Sequence, residues 1–286
     1  MLRKVIERRR MTSRRELMSR LLALLPALFV ASGALAATGL KAGGLNEFQI
    51  ELPLELRQVA GRGQVSPITH ALVTVAVPAS FDTTCDCPVM VISATSDPRY
   101  HSSRDLLRAY ADSALAAGWI LVAADPAQDV SAERDEVGLR YALNIAALAA
   151  LELQWPGVGK APLAFGGFSG GAKYSGWLAA AFASQGRTVI GIYLAGINED
   201  TIIAAARHFN ILNETFKRIP IFLQSGEKDE IATPGDHQAV QKELKRAGFR
   251  NIRIEYFPGP HAVDPGPMRT ALVWFRELAF QPGPGR

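Results

Sequence analysis

From residue 88 onward, apolar runs of strand length alternate with longer segments of helical periodicity. Apolar residues recur every three to four positions in the helical segments, as in amphipathic helices. This alternation requires right-handed crossovers, and so predicts an α/β fold with a mainly parallel sheet and helices on both faces. The apolar runs cover residues 88–94, 119–124, 162–167, 188–196, 219–226 and 251–259. The first of them, 88–94, is continuously apolar, as expected for a strand buried on both faces.

The chain before residue 88 has a different pattern. Two apolar runs, residues 47–56 and 68–78, follow each other closely, which predicts an antiparallel start to the sheet. Neither an internal repeat nor a low-complexity linker divides the 286 residues. We therefore expect residues 37–286 to form a single domain, with its functional residues at the carboxyl ends of the parallel strands.

Residues 1–36 are predicted to be a cleaved export signal. They hold eight basic and only two acidic residues, so the formal net charge of +4 comes from this leader. The apolar stretch from Leu21 to Ala36 is shorter than a spanning helix and ends in Ala-Leu-Ala, which is typical of signal peptidase sites. We expect a periplasmic or secreted protein with no nucleic-acid partner and no membrane association after cleavage.

The pair Arg14 and Arg15 precedes the apolar stretch, as in twin-arginine signals. We favour that export route, with the general secretory route and an uncleaved anchor as alternatives. Translation starting at Met11 rather than Met1 would give a leader of more usual length.

The two cysteines, Cys85 and Cys87, are separated by one residue. An oxidising compartment permits a disulfide between them, although so small a ring is rarely tolerated. Two thiols without further His or Cys nearby do not make a metal site. We expect either half-buried thiols or a local disulfide with a structural role, and no cofactor.

The sequence Gly-Phe-Ser-Gly-Gly, residues 167–171, stands between a predicted strand and a predicted helix. In that context it is typical of a nucleophile elbow, where the glycines avoid clashes and the serine Oγ is exposed. The N–H groups that begin the helix can stabilise an oxyanion beside Ser169. The same pattern also occurs where a helix merely crosses a sheet. The presence of a suitably placed base and acid therefore decides between the two interpretations.

A serine hydroxyl needs a base to accept its proton and an acid to orient that base. His261 follows the last predicted strand and Asp229 follows the strand before it, so both are expected at the same sheet edge as Ser169. Other polar residues remain as alternatives: Glu227, Glu230 and Asp200 for the acid, and His101 for the base. His101 is less suitable as the base because it precedes Ser169 in the chain, whereas His261 follows it. The remaining histidines, His70, His208 and His237, lie within predicted strands or helices.

These residues give the chain a resemblance to the α/β-hydrolase family over roughly residues 65–280. The resemblance rests on the elbow and on the loops 225–234 and 258–266, in the family's order. It implies that Ser169 is the nucleophile, His261 the general base and then acid, and Asp229 its orienting partner. Small lid-poor esterases, such as dienelactone hydrolases and polyester or acetyl esterases, are the most similar subgroups, because no long insertion interrupts the second half of the chain.

The resemblance also implies an oxyanion hole made of two backbone N–H groups. One follows the nucleophile and belongs to Gly170, and the other lies in the loop after the third strand. That loop commonly carries His-Gly, which is absent here, so position counting gives Thr95, with Ser96 as the alternative. We assign the substrate pocket to Tyr100, His101 and Phe168.

The predicted function is that of an exported serine hydrolase that cleaves a small or oligomeric carboxylic ester through an acyl-enzyme. An acyltransferase or peptidase using the same three residues is one alternative. A non-catalytic binding protein that retains the fold is another. The sequence carries no phosphate loop, zinc-protease helix or dinucleotide fingerprint.

Overall fold

The computed structural model describes residues 39–61, 63–94, 102–127 and 137–280, and the predicted leader lies outside them. The strands in these ranges are β1 (Gly44–Glu51), β2 (His70–Val77), β3 (Val89–Ser93), β4 (Ile120–Pro126), β5 (Leu163–Phe168), β6 (Val189–Ala195), β7 (Ile221–Gly226) and β8 (Ile252–Phe257). The α-helices are α1 (Leu54–Ala60), α2 (Ser103–Ala116), α3 (Val137–Gln154), α4 (Gly170–Ser184), α5 (Ile202–His208), α6 (Pro234–Arg246) and α7 (Pro265–Phe280).

The strands form one sheet in the order β1-β2-β4-β3-β5-β6-β7-β8. Strand β2 is antiparallel to β1 and β4, and every other neighbouring pair is parallel. The predicted α/β sheet with an antiparallel start is thus confirmed. After β3 the chain continues to β4, towards one edge of the sheet, whereas after β5 it continues to β6, towards the other edge. A crevice is therefore expected at the carboxyl ends of β3 and β5, where ligands bind in such sheets.

Strand β3 shows how the sheet is buried on both faces. All five of its residues are buried. Val89 and Val91 belong to one hydrophobic cluster, whereas Met90 and Ile92 belong to a second one on the opposite face. Helices α1, α3, α4, α5 and α6 contribute to the first cluster, and α2 and α7 contribute to the second. Helices therefore cover both faces, as predicted.

The first predicted strand is wrong at its end. Strand β1 stops at Glu51, and residues 54–60 form helix α1 instead of continuing the strand. Pro53 precedes this helix with φ −53° and ψ 150°, and its ring leaves no N–H for a strand ladder. Leu56 and Val59, three positions apart, are buried on the helix face that meets the core.

The loop between β2 and β3 contains a disulfide between Cys85 and Cys87. Both residues are half-buried and pack against the larger hydrophobic cluster. Of the two expectations for these cysteines, the structure has the local disulfide. Among the helices of the described ranges, none has both the length and the apolar character needed to cross a membrane.

Candidate active site

Ser169 stands alone between β5 and α4, at the switch point of the sheet. Its backbone has φ 54° and ψ −118°, and within the described residues Asn210 is the only other non-glycine residue with a positive φ. Such a conformation is costly for a residue with a side chain and is found where function requires it. The N–H of Ser169 donates to the carbonyl of Ala195 on β6 at 2.8 Å, which fixes the turn in this conformation.

The glycines on either side of Ser169 allow β3 to pass directly against the elbow. A Cβ on Gly167 or Gly171 would clash with the carbonyl oxygen of Ser93, and one on Gly171 would also lie 2.6 Å from the Ala94 oxygen. Only glycine fits at these two positions. The close crossing therefore brings the end of β3 beside Ser169.

Only one of the two predicted oxyanion donors lies in the part of the chain that the structure describes. Gly170 is the first residue of α4, so its N–H lies at the positive end of the helix dipole. Thr95 and the alternative Ser96 lie outside the described residues, as do the predicted pocket residues Tyr100 and His101. Their segment begins directly after Ala94, which contacts the elbow.

Asp229 and His261, from the loops after β7 and β8, are in direct contact. Asp229 Oδ2 and His261 Nδ1 lie 2.7 Å apart, and the two residues are 4% and 6% exposed. The other carboxylate oxygen of Asp229 accepts from the N–H groups of Ile231 and Ala232 at 2.9 and 2.8 Å. The carboxylate therefore fixes the imidazole with its proton on Nδ1, which leaves Nε2 as the basic nitrogen.

The His261 ring lies against the elbow. Its centroid is 4.6 Å from that of Phe168, the residue before Ser169. On another side the ring meets Gly196, where a Cβ would lie 2.9 Å from His261 Cε1. Phe168, a predicted pocket residue, is 1% exposed. Its ring packs against the imidazole and is not part of an open surface.

The alternative acids lie in other environments. Glu227 and Glu230 are exposed. Asp200 accepts hydrogen bonds from the N–H groups of Ile202 and Ile203, and so caps α5. Burial raises the pKa of Asp200. Among the described candidates, Asp229 is the carboxylate that contacts a predicted base.

His237 on α6 supports the turn beside His261. It is fully buried, and burial lowers its pKa, which favours the neutral ring. Its Nδ1 lies 3.1 Å from the Thr233 carbonyl, and its Nε2 accepts from the N–H of Ile197, next to Gly196, at 3.3 Å. In the sequence, the only indication of a role for His237 is that it shares the buried face of α6 with Val240 and Leu244.

A buried ion pair lies next to the end of β3 and the start of α2. Arg140 on α3 and Asp125 on β4 are 3.1 Å apart, and Arg140 is 2% exposed. Arg140 also donates to the Ser103 hydroxyl at 2.7 Å, and that oxygen accepts from the Ala94 N–H at 3.2 Å. Asp125 accepts from the Ser103 N–H at 2.8 Å. This network joins Ala94, the residue after β3, to the first turn of α2.

The described residues contain no group of three or more His, Cys, Asp or Glu side chains that could hold a metal ion. The polar side chains assembled at the carboxyl edge are instead suited to proton transfer. An imidazole that a buried carboxylate holds can accept the proton of a serine hydroxyl on a strained turn, and so activate that oxygen as a nucleophile.

Comparison with known proteins gave matches at the level of structure. No family model and no curated protein matches the sequence. An α/β serine hydrolase homologue from Coxiella burnetii is 13% identical, with a TM-score of 0.53 over 82% of this chain and 98% of its own. A serine hydrolase without a lid from Xanthomonas campestris is 16% identical, with a TM-score of 0.51 over 84% and 94%.

A third similar structure is a hyperthermophilic esterase from the archaeon Pyrobaculum calidifontis. It is 13% identical, with a TM-score of 0.52 over 93% of this chain and 90% of its own. All three similarities extend over nearly the whole length of the known proteins. Together with the strand order, the strained serine between β5 and α4 and the loops after β7 and β8, they show that the chain has the α/β-hydrolase fold.

Proposed function

We propose that the protein is a serine hydrolase that cleaves carboxylic esters through an acyl-enzyme. The observation that carries the proposal is the Asp229–His261 pair, whose imidazole packs on Phe168 beside the strained Ser169. A merely structural crossing of helix and sheet would need the glycines. It would not need a buried carboxylate and imidazole at the same turn.

The reaction begins when Ser169 Oγ attacks the ester carbonyl carbon and its proton passes to His261 Nε2. The carbonyl electron pair moves onto oxygen, where the Gly170 N–H and the α4 dipole stabilise the charge. Thr95, or Ser96, supplies the second N–H donor. Asp229 stabilises the imidazolium that forms.

The tetrahedral intermediate then collapses. The bond to the leaving oxygen breaks, and His261 gives that oxygen its proton, so an alcohol leaves and the acyl group stays on Ser169. His261 next takes a proton from water, which attacks the acyl carbon. Collapse of the second intermediate releases the acid, and the proton returns to Ser169 Oγ.

An open site fits this proposal. Only α5 and one short 3₁₀ turn lie between β6 and β7, and no cap domain is present among the described residues. The lid-less hydrolase among the similar structures has the same overall plan. We propose that the substrate is a small or oligomeric ester, met in the periplasm or outside the cell after removal of the leader. Cell fractionation with and without Arg14→Lys and Arg15→Lys tests the export route.

The mechanism is tested with short p-nitrophenyl esters and a fluorophosphonate probe. Ser169→Ala should abolish both hydrolysis and labelling, and peptide mapping of the labelled protein should identify Ser169. The control is Ser184→Ala at the other end of α4, where the hydroxyl donates to the Ala181 carbonyl. Unchanged hydrolysis in Ser169→Ala contradicts the mechanism. A folded protein that is never labelled supports the binding-protein alternative, and acyl transfer to an added alcohol or amine supports the acyltransferase alternative.

A further inference from the structure

Gln224 is a polar residue in the middle of the buried strand β7. It is 1% exposed, and its neighbours Phe222 and Leu223 belong to the hydrophobic clusters on the two faces of the sheet. A buried amide is costly unless its donor and acceptor groups are satisfied. Its hydrogen bonds therefore indicate what the residue does.

The side chain of Gln224 has one orientation that satisfies both its ends. Its Nε2 donates to the carbonyl oxygen of Asp264 at 3.0 Å, and a carbonyl can only accept. The Oε1 atom must then face the Tyr193 hydroxyl, which donates to it. Burial raises the pKa of Tyr193 well above its usual value, so this hydroxyl keeps its proton.

Two of the groups that are hydrogen-bonded to Gln224, the Asp264 carbonyl and the Gly196 N–H, belong to the surroundings of His261. Asp264 comes three residues after His261, in the same loop. The backbone carbonyl of Gln224 accepts from the N–H of Gly196 at 3.1 Å, and Gly196 is the residue against which the His261 ring packs. One side chain and its own carbonyl thus hold the loop that carries the imidazole and the turn that limits its position.

We propose that Gln224 is a positioning residue that sets His261 relative to Ser169. This inference rests on the proposed hydrolase function for its kinetic consequences. Gln224 lies within the sheet and acts through the loop, without touching substrate. A shift of the imidazole by a fraction of an ångström lowers the rate of proton transfer while substrate binding is retained.

The test compares Gln224→Met with Tyr193→Phe. Methionine fills a similar volume but cannot donate to Asp264, whereas Tyr193→Phe keeps that bond and removes only the partner of Oε1. Gln224→Met should lower kcat about 10- to 100-fold with KM nearly unchanged, and should shift the pH profile of kcat/KM. Tyr193→Phe should lower the melting temperature but leave kcat and the pH profile close to those of the wild type.

A second readout does not depend on activity. The proton between His261 Nδ1 and Asp229 should give a low-field NMR resonance that is absent in His261→Gln. Gln224→Met should shift or broaden it, and Tyr193→Phe should not. If the wild type is never labelled at Ser169 but the resonance responds to Gln224→Met, the hydrolase proposal fails and the positioning role stands.

Two results overturn the positioning role. One is a Gln224→Met variant with wild-type kcat, pH profile and resonance. The other is an equal change in both variants, as expected from a general loss of stability. If Gln224→Met does not fold, Gln224→Glu replaces it. Its protonated carboxyl can donate to Asp264 and its ionised form cannot, so the resonance should fade as the pH rises, and a pH-independent resonance contradicts the role.

Discussion

His261 Nδ1 and Asp229 Oδ2 lie 2.7 Å apart although 32 residues separate them in the chain. Each follows one of two neighbouring parallel strands, and the two loops are joined by a hydrogen bond from the Lys228 N–H to the Gly259 carbonyl. The pairing of β7 with β8 therefore sets the distance between Asp229 and His261. Because two backbone N–H groups hold the other oxygen of Asp229, the carboxylate cannot turn away from the ring.

Asp229→Asn should lower kcat about 10³- to 10⁴-fold without unfolding the protein. The two N–H groups that bind Oδ1 keep the amide oxygen on their side, so the amide nitrogen faces His261 Nδ1. The imidazole must then carry its proton on Nε2, where it can no longer accept the proton of Ser169. Steady-state hydrolysis of p-nitrophenyl esters measures the loss. Asp200→Asn is the control, since Asp200 only caps α5, and a loss below tenfold in Asp229→Asn argues against the assigned role.

Gly171→Ala should lower the free energy of unfolding by about 1–3 kcal/mol, as expected for overpacking. The added methyl group would lie 2.6 Å from the Ala94 oxygen, and the elbow must move to relieve the clash, so kcat should fall as well. Urea denaturation and ester hydrolysis measure the two effects. In the control Gly235→Ala the methyl group meets only Thr233 Oγ1, at 3.5 Å. A Gly171→Ala variant as stable and active as this control would show that the crossing tolerates a side chain.

Asp125→Asn should destabilise the protein by about 3–5 kcal/mol, because it removes the carboxylate charge that pairs with the buried guanidinium of Arg140. The matched control is Glu199→Gln. Glu199 pairs with Lys173 at the surface, where an ion pair contributes at most about 1 kcal/mol. Urea denaturation compares the two variants. Equal losses would mean that the Arg140–Asp125 pair is as well solvated as the surface pair.

His237 should make the protein less stable at acidic pH. Burial lowers its pKa in the folded state, so the unfolded chain binds the proton more tightly. The contribution of neutral His237 is complete above the unfolded pKa of about 6.5. It is lost as the pH falls below that value towards the folded pKa. Protonated Nε2 would also face the Ile197 N–H as a second donor.

The measurement for His237 is the free energy of unfolding between pH 8 and pH 5, in the wild type and in His237→Gln. Glutamine can accept from Ile197 and does not titrate. Its stability should therefore fall less steeply across this window. Parallel curves for the two proteins would show that His237 does not cause the acid sensitivity.

The strands were predictable because burial leaves a direct mark on the sequence. The run 88–94 became β3 (Val89–Ser93) and the run 188–196 became β6 (Val189–Ala195), since a strand covered on both faces must be continuously apolar. Gly118, two residues after the end of α2, has φ 73°, the left-handed conformation that glycine commonly adopts where a helix stops. The short helix α1 was missed because its seven residues cover fewer than two periods of a helical pattern.

The supporting polar residues could not be predicted. Gln224 and His237 lie within regular elements, and their partners come from segments about forty residues away. Periodicity reports which face of an element is buried, but not which groups meet there. Asp229 and His261 could be proposed because they follow strands at a common edge. Thr95 and Ser96, outside the described residues, stay predictions.

The order of the strands places one part of the candidate site in the middle of the sheet and another part at its edge. Ser169 follows β5, which has partners on both sides, whereas His261 follows β8, an outermost strand bonded to β7 alone. All six β8 residues are half-buried or exposed. Local opening of such a margin requires less free energy than global unfolding. Mild destabilisation should therefore displace His261, the proposed base, and abolish the proposed activity while Ser169 still lies in an intact core.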